Sequence, residues 1–168
     1  GMDTSGRPQQ DEVDLVMAAW HRERPDLDLQ PLAVLSRVSR MARLLDLARR
    51  EAFGAGSLDP WEFDVLSALR RAGAPHELSP GALVAQTLVT SGTMTNRIDR
   101  LVDRGHVERL PSRTDRRGVI VRLTESGRDA VDAAMEQLLT HERELLAGVG
   151  EAEQAAVSYT HLTLPTIL

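Results

Sequence analysis

Ser91, Thr93, Thr95, Asn96, Arg97 and Arg100 bring three hydroxyls, one amide and two guanidinium groups into one short stretch. Side chains of these types read base edges and hold phosphates in a major groove. A second basic group follows in Pro111-Ser112-Arg113-Thr114-Asp115-Arg116-Arg117-Gly118. An exposed basic tip of this kind suits a phosphate backbone or a narrow minor groove; the alternative is a solvated loop in which Asp115 pairs with a neighbouring Arg. This chemistry is binding. Bond-making chemistry finds little support, because no cysteine is present for thiolate catalysis, disulfides or a cysteine metal site. The histidines at 21, 76, 106, 141 and 161 lack metal-ligand spacing. Ser91, Asp103 and His106 have the residue types of a hydrolase triad, but Ser91 has no nucleophile-elbow glycines. No phosphate-cradling glycine loop occurs either. The expectation is a non-enzyme with no metal and no cofactor.

Two helical patterns and an alternating stretch must position these groups. Ser79 and Pro80 open the first helix, the serine as cap and the proline where no amide partner is needed, and Leu83, Val84 and Leu88 are expected on its buried side. The second begins at Thr90 or Ser91 and lines up Met94, Ile98, Leu101 and Val102 at helical spacing. Gly105 ends it. From Val107 the period becomes two, with Val119, Val121 and Leu123 on one face and Ile120 and Arg122 on the other. This outline is a helix-turn-helix followed by a hairpin wing.

Residues from Arg37 to about Gly150 resemble the multiple-antibiotic-resistance regulator (MarR) family of winged-helix repressors. The resemblance is carried by Leu66 and Leu69, by the run from Met94 to Leu101, by Gly105 before Val107-Glu108-Arg109, and by Asp115-Arg116-Arg117 leading to Leu123-Thr124. It implies an obligate homodimer that grips pseudo-palindromic double-stranded DNA through paired recognition helices and wings. It also implies release by a small molecule, often an aromatic or phenolic acid. Where many relatives carry Arg after the recognition-helix Thr, this chain has Asn96, so base preference does not transfer.

The rest of the chain reads as support. The total charge is -5, yet Thr90 to Thr124 holds eight arginines against four acidic residues, a local +4 that leaves -9 elsewhere. Electrostatic contact acts within about 10 Å, so placement outweighs the total. Gly1 before Met2 reads as a tag scar, and residues to about Gln10 as loose. Val13, Val16, Met17 and Trp20 mark an amphipathic helix over 11–23, with Trp20 as a packing residue. Pro31 starts a long helix to about Phe53 whose apolar stripe is wider than one partner would cover, so a second subunit is expected there. Asp59, Pro60 and Glu62 start the next helix, with Leu58 and Phe63 as a staple, and Gly73 and Pro75 stop it. Thr124 caps another long helix to about Ala147, and a further helix starts at Glu151.

The expected fold is therefore mainly α with a small β-hairpin wing. It divides into N-terminal helices forming a dimerisation arm (1–57), a winged helix-turn-helix DNA-binding domain (58–124), C-terminal dimerisation helices (125–157) and an atypical tail (158–168). That tail loses all charge and gains Thr and Leu, as a frame change or foreign sequence would. No apolar run approaches the roughly 18 residues that span a bilayer, and no signal peptide is seen, so a cytoplasmic protein is expected. An effector pocket is expected around Arg37, Met41, Trp61 and His76, where the long helices and the DNA-binding lobe join. The competing reading is a winged-helix interaction module that has lost specific DNA binding.

Overall fold

Helix starts and stops follow the local chemistry of the chain. In the computed structural model, which describes residues 11–152 and 154–156, the elements are α1 (Glu12–Glu23), α2 (Gln30–Gly54), α3 (Pro60–Arg71), β1 (Glu77–Leu78), α4 (Pro80–Thr87), α5 (Ser91–Asp103), β2 (Val107–Pro111), β3 (Val119–Leu123) and α6 (Glu125–Leu146). The readings of residues 1–10 and of the tail 158–168 lie outside the described residues. The described chain forms two compact units, one from the residues up to Leu47 and from Glu142 onward, the other Ala48–His141.

In the first unit, Asp11 and Asp14 close a reciprocal cap at the start of α1, each carboxylate accepting the other's backbone N–H at 2.9–3.0 Å. The same two carboxylates receive Arg37 of α2, and Glu12 receives Arg40. Val13 is buried. Trp20, read from the sequence as a packing residue, is about half exposed in the single chain. Along α2, Val34, Leu35, Val38, Met41, Leu44 and Leu47 are likewise exposed.

In the second unit, Phe53, Leu66, Leu69, Leu83, Met94, Ile98, Leu101 and Val121 fill the centre of one core. Phe53 and Phe63 stack with centroids 4.2 Å apart, and the Arg49 guanidinium lies over both rings. The core draws Ala48, Ala52 and Phe53 from the end of α2 and Val131, Ala134 and Leu138 from α6, so this unit reaches further into both flanking helices than residues 58–124.

The sheet has three antiparallel strands in the order β1-β3-β2, a strand more than the expected hairpin. Glu77 pairs with Arg122 and Leu78 with Val121, while β2 and β3 pair from Val107 opposite Leu123 to Pro111 opposite Val119. A two-residue strand has no periodicity to show in sequence. On β3, Val121 and Leu123 enter the core, whereas Val119 lies beyond it towards the loop and is exposed.

Leu88 also departs from expectation. It is 82% exposed rather than part of the buried side of α4. The reason is its backbone: φ of 57° places it in the left-handed region as the residue that ends α4, turning its side chain off the helix.

Candidate nucleic-acid interface

Two capped helices and the sheet set the geometry. Ser79 Oγ accepts from Ala82 N at 3.1 Å to start α4. After the turn at Leu88, Thr90 is the residue that caps α5, its Oγ1 accepting from Thr93 N at 3.2 Å. At the other end the Gly105 N–H reaches the Val102 carbonyl and the His106 N–H reaches Leu101, with Gly105 at φ 76°. This double closure needs a left-handed residue, which glycine supplies without strain.

Met94, Ile98 and Leu101 fix the roll of α5 by entering the core. Ser91, Thr93, Thr95, Asn96 and Arg100 consequently face outward, and Arg97 is half-buried. The Thr95 hydroxyl donates to the Ser91 carbonyl and the Thr90 hydroxyl to Thr93 Oγ1. Among the described residues the Asn96 side-chain amide, the Ser91 hydroxyl and the two guanidinium groups have no hydrogen-bond or ion-pair partner. Thr93, Asn96, Arg97 and Arg100 line one open groove together with Gly92 and Trp61.

The basic loop is shaped from within. Ser112 Oγ accepts from Thr114 N and Asp115 N, and the Asp115 carboxylate accepts from Arg117 N at 3.0 Å. Asp115 thus serves the backbone rather than a neighbouring guanidinium. Gly118 closes the loop, where a Cβ would meet those of Ser112 and Asp115 at 3.0–3.1 Å. Arg116 and Arg117 are exposed and have no ion-pair partner among the described residues. Arg113 differs, lying 3.4 Å from Glu77.

Long-range ion pairs invisible in the sequence brace this surface. Glu77 also receives Arg122, whose hydrogen bond, with the nearby Arg113 charge, holds the carboxyl below the usual range for its type. Arg109 on β2 pairs with Asp99 on α5, tying the wing base to the helix. Glu62, buried on α3, pairs with Arg104 at 2.5 Å. Each such pair joins residues of different elements, so no spacing within a helix or strand signals it.

Of the four residues expected around an effector pocket, Arg37 and Met41 belong to the first unit and Trp61 and His76 to the second. Trp61 and His76 line separate grooves of the second unit, the latter with Thr124, Arg128 and Asp132. Trp61 stands in the first turn of α3 and His76 lies beyond its last, so most of the helix, about 15 Å at 1.5 Å per residue, separates them along the chain. Arg37 is held by Asp11 and Asp14, and Met41 lies on the open stripe of α2. No group of three or more His, Asp or Glu among the described residues is arranged to hold a metal ion. None of the described helices is long and apolar enough to cross a membrane.

This arrangement of capped helices, sheet and basic loop recurs in known proteins. Residues 57–118 match the MarR family. Over 151 residues the chain is 37% identical to the HTH-type transcriptional regulator PecS of Dickeya dadantii, covering 90% of this chain and 88% of PecS. The chain belongs to the MarR family. It shares that family's winged-helix fold and its class, DNA-binding transcription regulators. A mutant of MarR from E. coli solved with operator DNA superposes with a TM-score of 0.68 at 28% identity, covering 82% of this chain and 98% of that one. BpsR of Bordetella bronchiseptica, whose DNA binding is regulated by 6-hydroxynicotinic acid, gives a TM-score of 0.64 at 26% identity over 76% of this chain and 89% of BpsR.

Proposed function

We propose that this MarR-family chain is a homodimeric, sequence-specific regulator, a repressor rather than an enzyme, that binds pseudo-palindromic operator DNA in the cytoplasm. The observation that carries the reading is the division of α5: Met94, Ile98 and Leu101 are buried while polar and basic side chains face outward without carboxylate partners. In this reading Thr93, Thr95, Asn96 and Arg97 meet base edges. Arg100 and the start of α5 at Ser91 hold phosphate, where unpaired backbone N–H groups favour anions. Arg113, Arg116 and Arg117 carry the wing along the backbone, and Asp115 shapes the loop that presents them.

The exposed apolar stripe of α2 supports the dimer. A contiguous row of Val, Leu and Met that no segment of the described chain covers is suited to a second copy. Twofold symmetry would space the recognition helices by about 34 Å, one turn of DNA. A small aromatic or phenolic acid is the effector class we propose, supported by the regulation of BpsR by 6-hydroxynicotinic acid. Such a ligand releases DNA only if it binds the DNA-incompetent form more tightly.

The test is binding of the purified protein to DNA from beside its own gene and to scrambled DNA across a salt series, with sedimentation analysis of the dimer. A preference of about a thousandfold is expected for the native DNA. Equal affinity for both DNAs, or none for either, overturns the reading in favour of a protein-interaction module.

A further inference from the structure

Arg97 and Arg100 share one aromatic partner. Their guanidinium carbons lie 5.4 and 5.0 Å from the centroid of the Trp61 ring. The two arginines are three residues apart on α5 and face the same way, so a single indole on α3 serves both. Trp61 is itself fixed, since the helix start at Asp59 and Pro60 sets the first turn of α3, and the ring packs partly against the core. The next residue, Glu62, takes Arg104, which ends α5 one turn beyond Arg100. Consecutive residues of α3 thus govern the row Arg97, Arg100 and Arg104.

The kind of partner separates these arginines by role. Arg104, Arg109 and Arg122 meet carboxylates, and each joins two elements of the fold. Arg97 and Arg100 have no carboxylate within ion-pair distance among the described residues; Asp99 lies between them in sequence, but residues one and two apart on a helix do not face each other, and Asp99 meets Arg109 instead. A carboxylate would cancel the positive charge that a phosphate or a guanine edge requires. The face of an indole attracts a cation through its quadrupole and leaves the charge intact. It also narrows the rotamers of a long side chain before DNA arrives, which lowers the ordering cost of binding.

We propose that Trp61 is a positioning residue for DNA recognition, holding Arg97 and Arg100 pre-ordered and still fully charged at the groove they line. This rests on the DNA-binding reading above, and its test separates the two. Trp61→Leu keeps an apolar side chain and removes the ring; Trp61→Phe keeps a weaker aromatic face. Two exposed cation–π contacts correspond to a loss of about 5- to 30-fold in affinity for native DNA in Trp61→Leu, with Trp61→Phe between it and the parent. In an Arg97→Ala/Arg100→Ala background, Trp61→Leu should cost nothing further. An equal loss in both backgrounds, or no loss in the parent, overturns the proposal.

A second readout needs no DNA. The chain has two tryptophans, so Trp20→Phe leaves Trp61 as the sole reporter. Removing Arg97 and Arg100 in that variant should shift its emission and open it to acrylamide quenching; unchanged emission and quenching overturn the proposal. If the parent shows no preference for native DNA, the functional reading fails, and the emission experiment still decides whether the ring holds the arginines.

Discussion

Arg104, the residue that ends α5, places Nη1 2.5 Å from Oε2 of Glu62, whose side chain on α3 is 3% exposed. The other carboxylate oxygen, Oε1, accepts the Asp59 N–H at 3.0 Å, so one buried group both starts α3 and holds α5. Glu62→Gln keeps that acceptor and removes the charge. Because the Arg104 side chain is 36% exposed and can turn to water, the loss should fall below that of a fully buried pair, at about 1–3 kcal/mol. Urea unfolding should show it as a lower midpoint at constant slope.

Gly127 in the first turn of α6 lies against the last loop of α5. A Cβ there would stand 2.1 Å from the His106 carbonyl oxygen and 2.9 Å from its carbon. Neither backbone atom can move without opening the closure around Gly105. Gly127→Ala should therefore cost about 3 kcal/mol, despite the better helix propensity of alanine. Thermal unfolding would register the loss as a clear fall in Tm.

Leu88 offers the opposite change. At 82% exposure it contributes little burial, and its left-handed backbone penalises a branched side chain. Asparagine tolerates that region, so Leu88→Asn should stabilise the protein by about 0.5–1 kcal/mol. Denaturant midpoints of the two proteins compare this directly.

The starts of α3, α4 and α5 were legible because caps are local: Asp59-Pro60-x-Glu62, Ser79-Pro80 and Thr90 act within four residues. The roll of α5 was legible from Met94, Ile98 and Leu101 for the same reason. Leu88 misled because helical spacing assumes the helix continues, and the chain there has already turned. The bracing pairs Glu62–Arg104, Arg109–Asp99 and Glu77–Arg122 depend on which elements meet in space. Trp61 carried no sign of its two arginines, since a tryptophan at a helix start looks the same whether it faces core or groove.

His106 sets a pH dependence. Burial, then the Arg104 charge, push its imidazole below the ordinary value of 6.5, partly opposed by Glu62. The unfolded chain therefore binds this proton more readily. The stability involved is full above the unfolded value and is lost as pH falls through 6.5 towards the folded one. Melting temperatures between pH 7.5 and about 5.5 should decline, and His106→Gln should flatten that decline.

Arg116 and Arg117 should act on every DNA sequence alike. Removing both should weaken native and scrambled DNA in parallel and reduce the salt slope by about 2 per subunit, at roughly 0.9 per phosphate contact. Asn96→Ala should instead relax preference at a single base position, leaving the slope unchanged. Binding titrations over base-substituted sites and several salt concentrations distinguish the two patterns, and parental behaviour in both variants would reject these assignments.

Thr124 links three elements through one residue. Its hydroxyl donates to the Gly105 carbonyl at 2.6 Å and accepts the Gly127 N–H at 3.1 Å, while its own N–H reaches the His106 carbonyl. In mechanical terms this is a shared joint: the foot of α6, the returning strand of the wing and the trailing end of α5 are all fastened to the same residue. A tilt of the first turn of α6 that keeps these bonds must carry the end of α5 opposite its cap along with it.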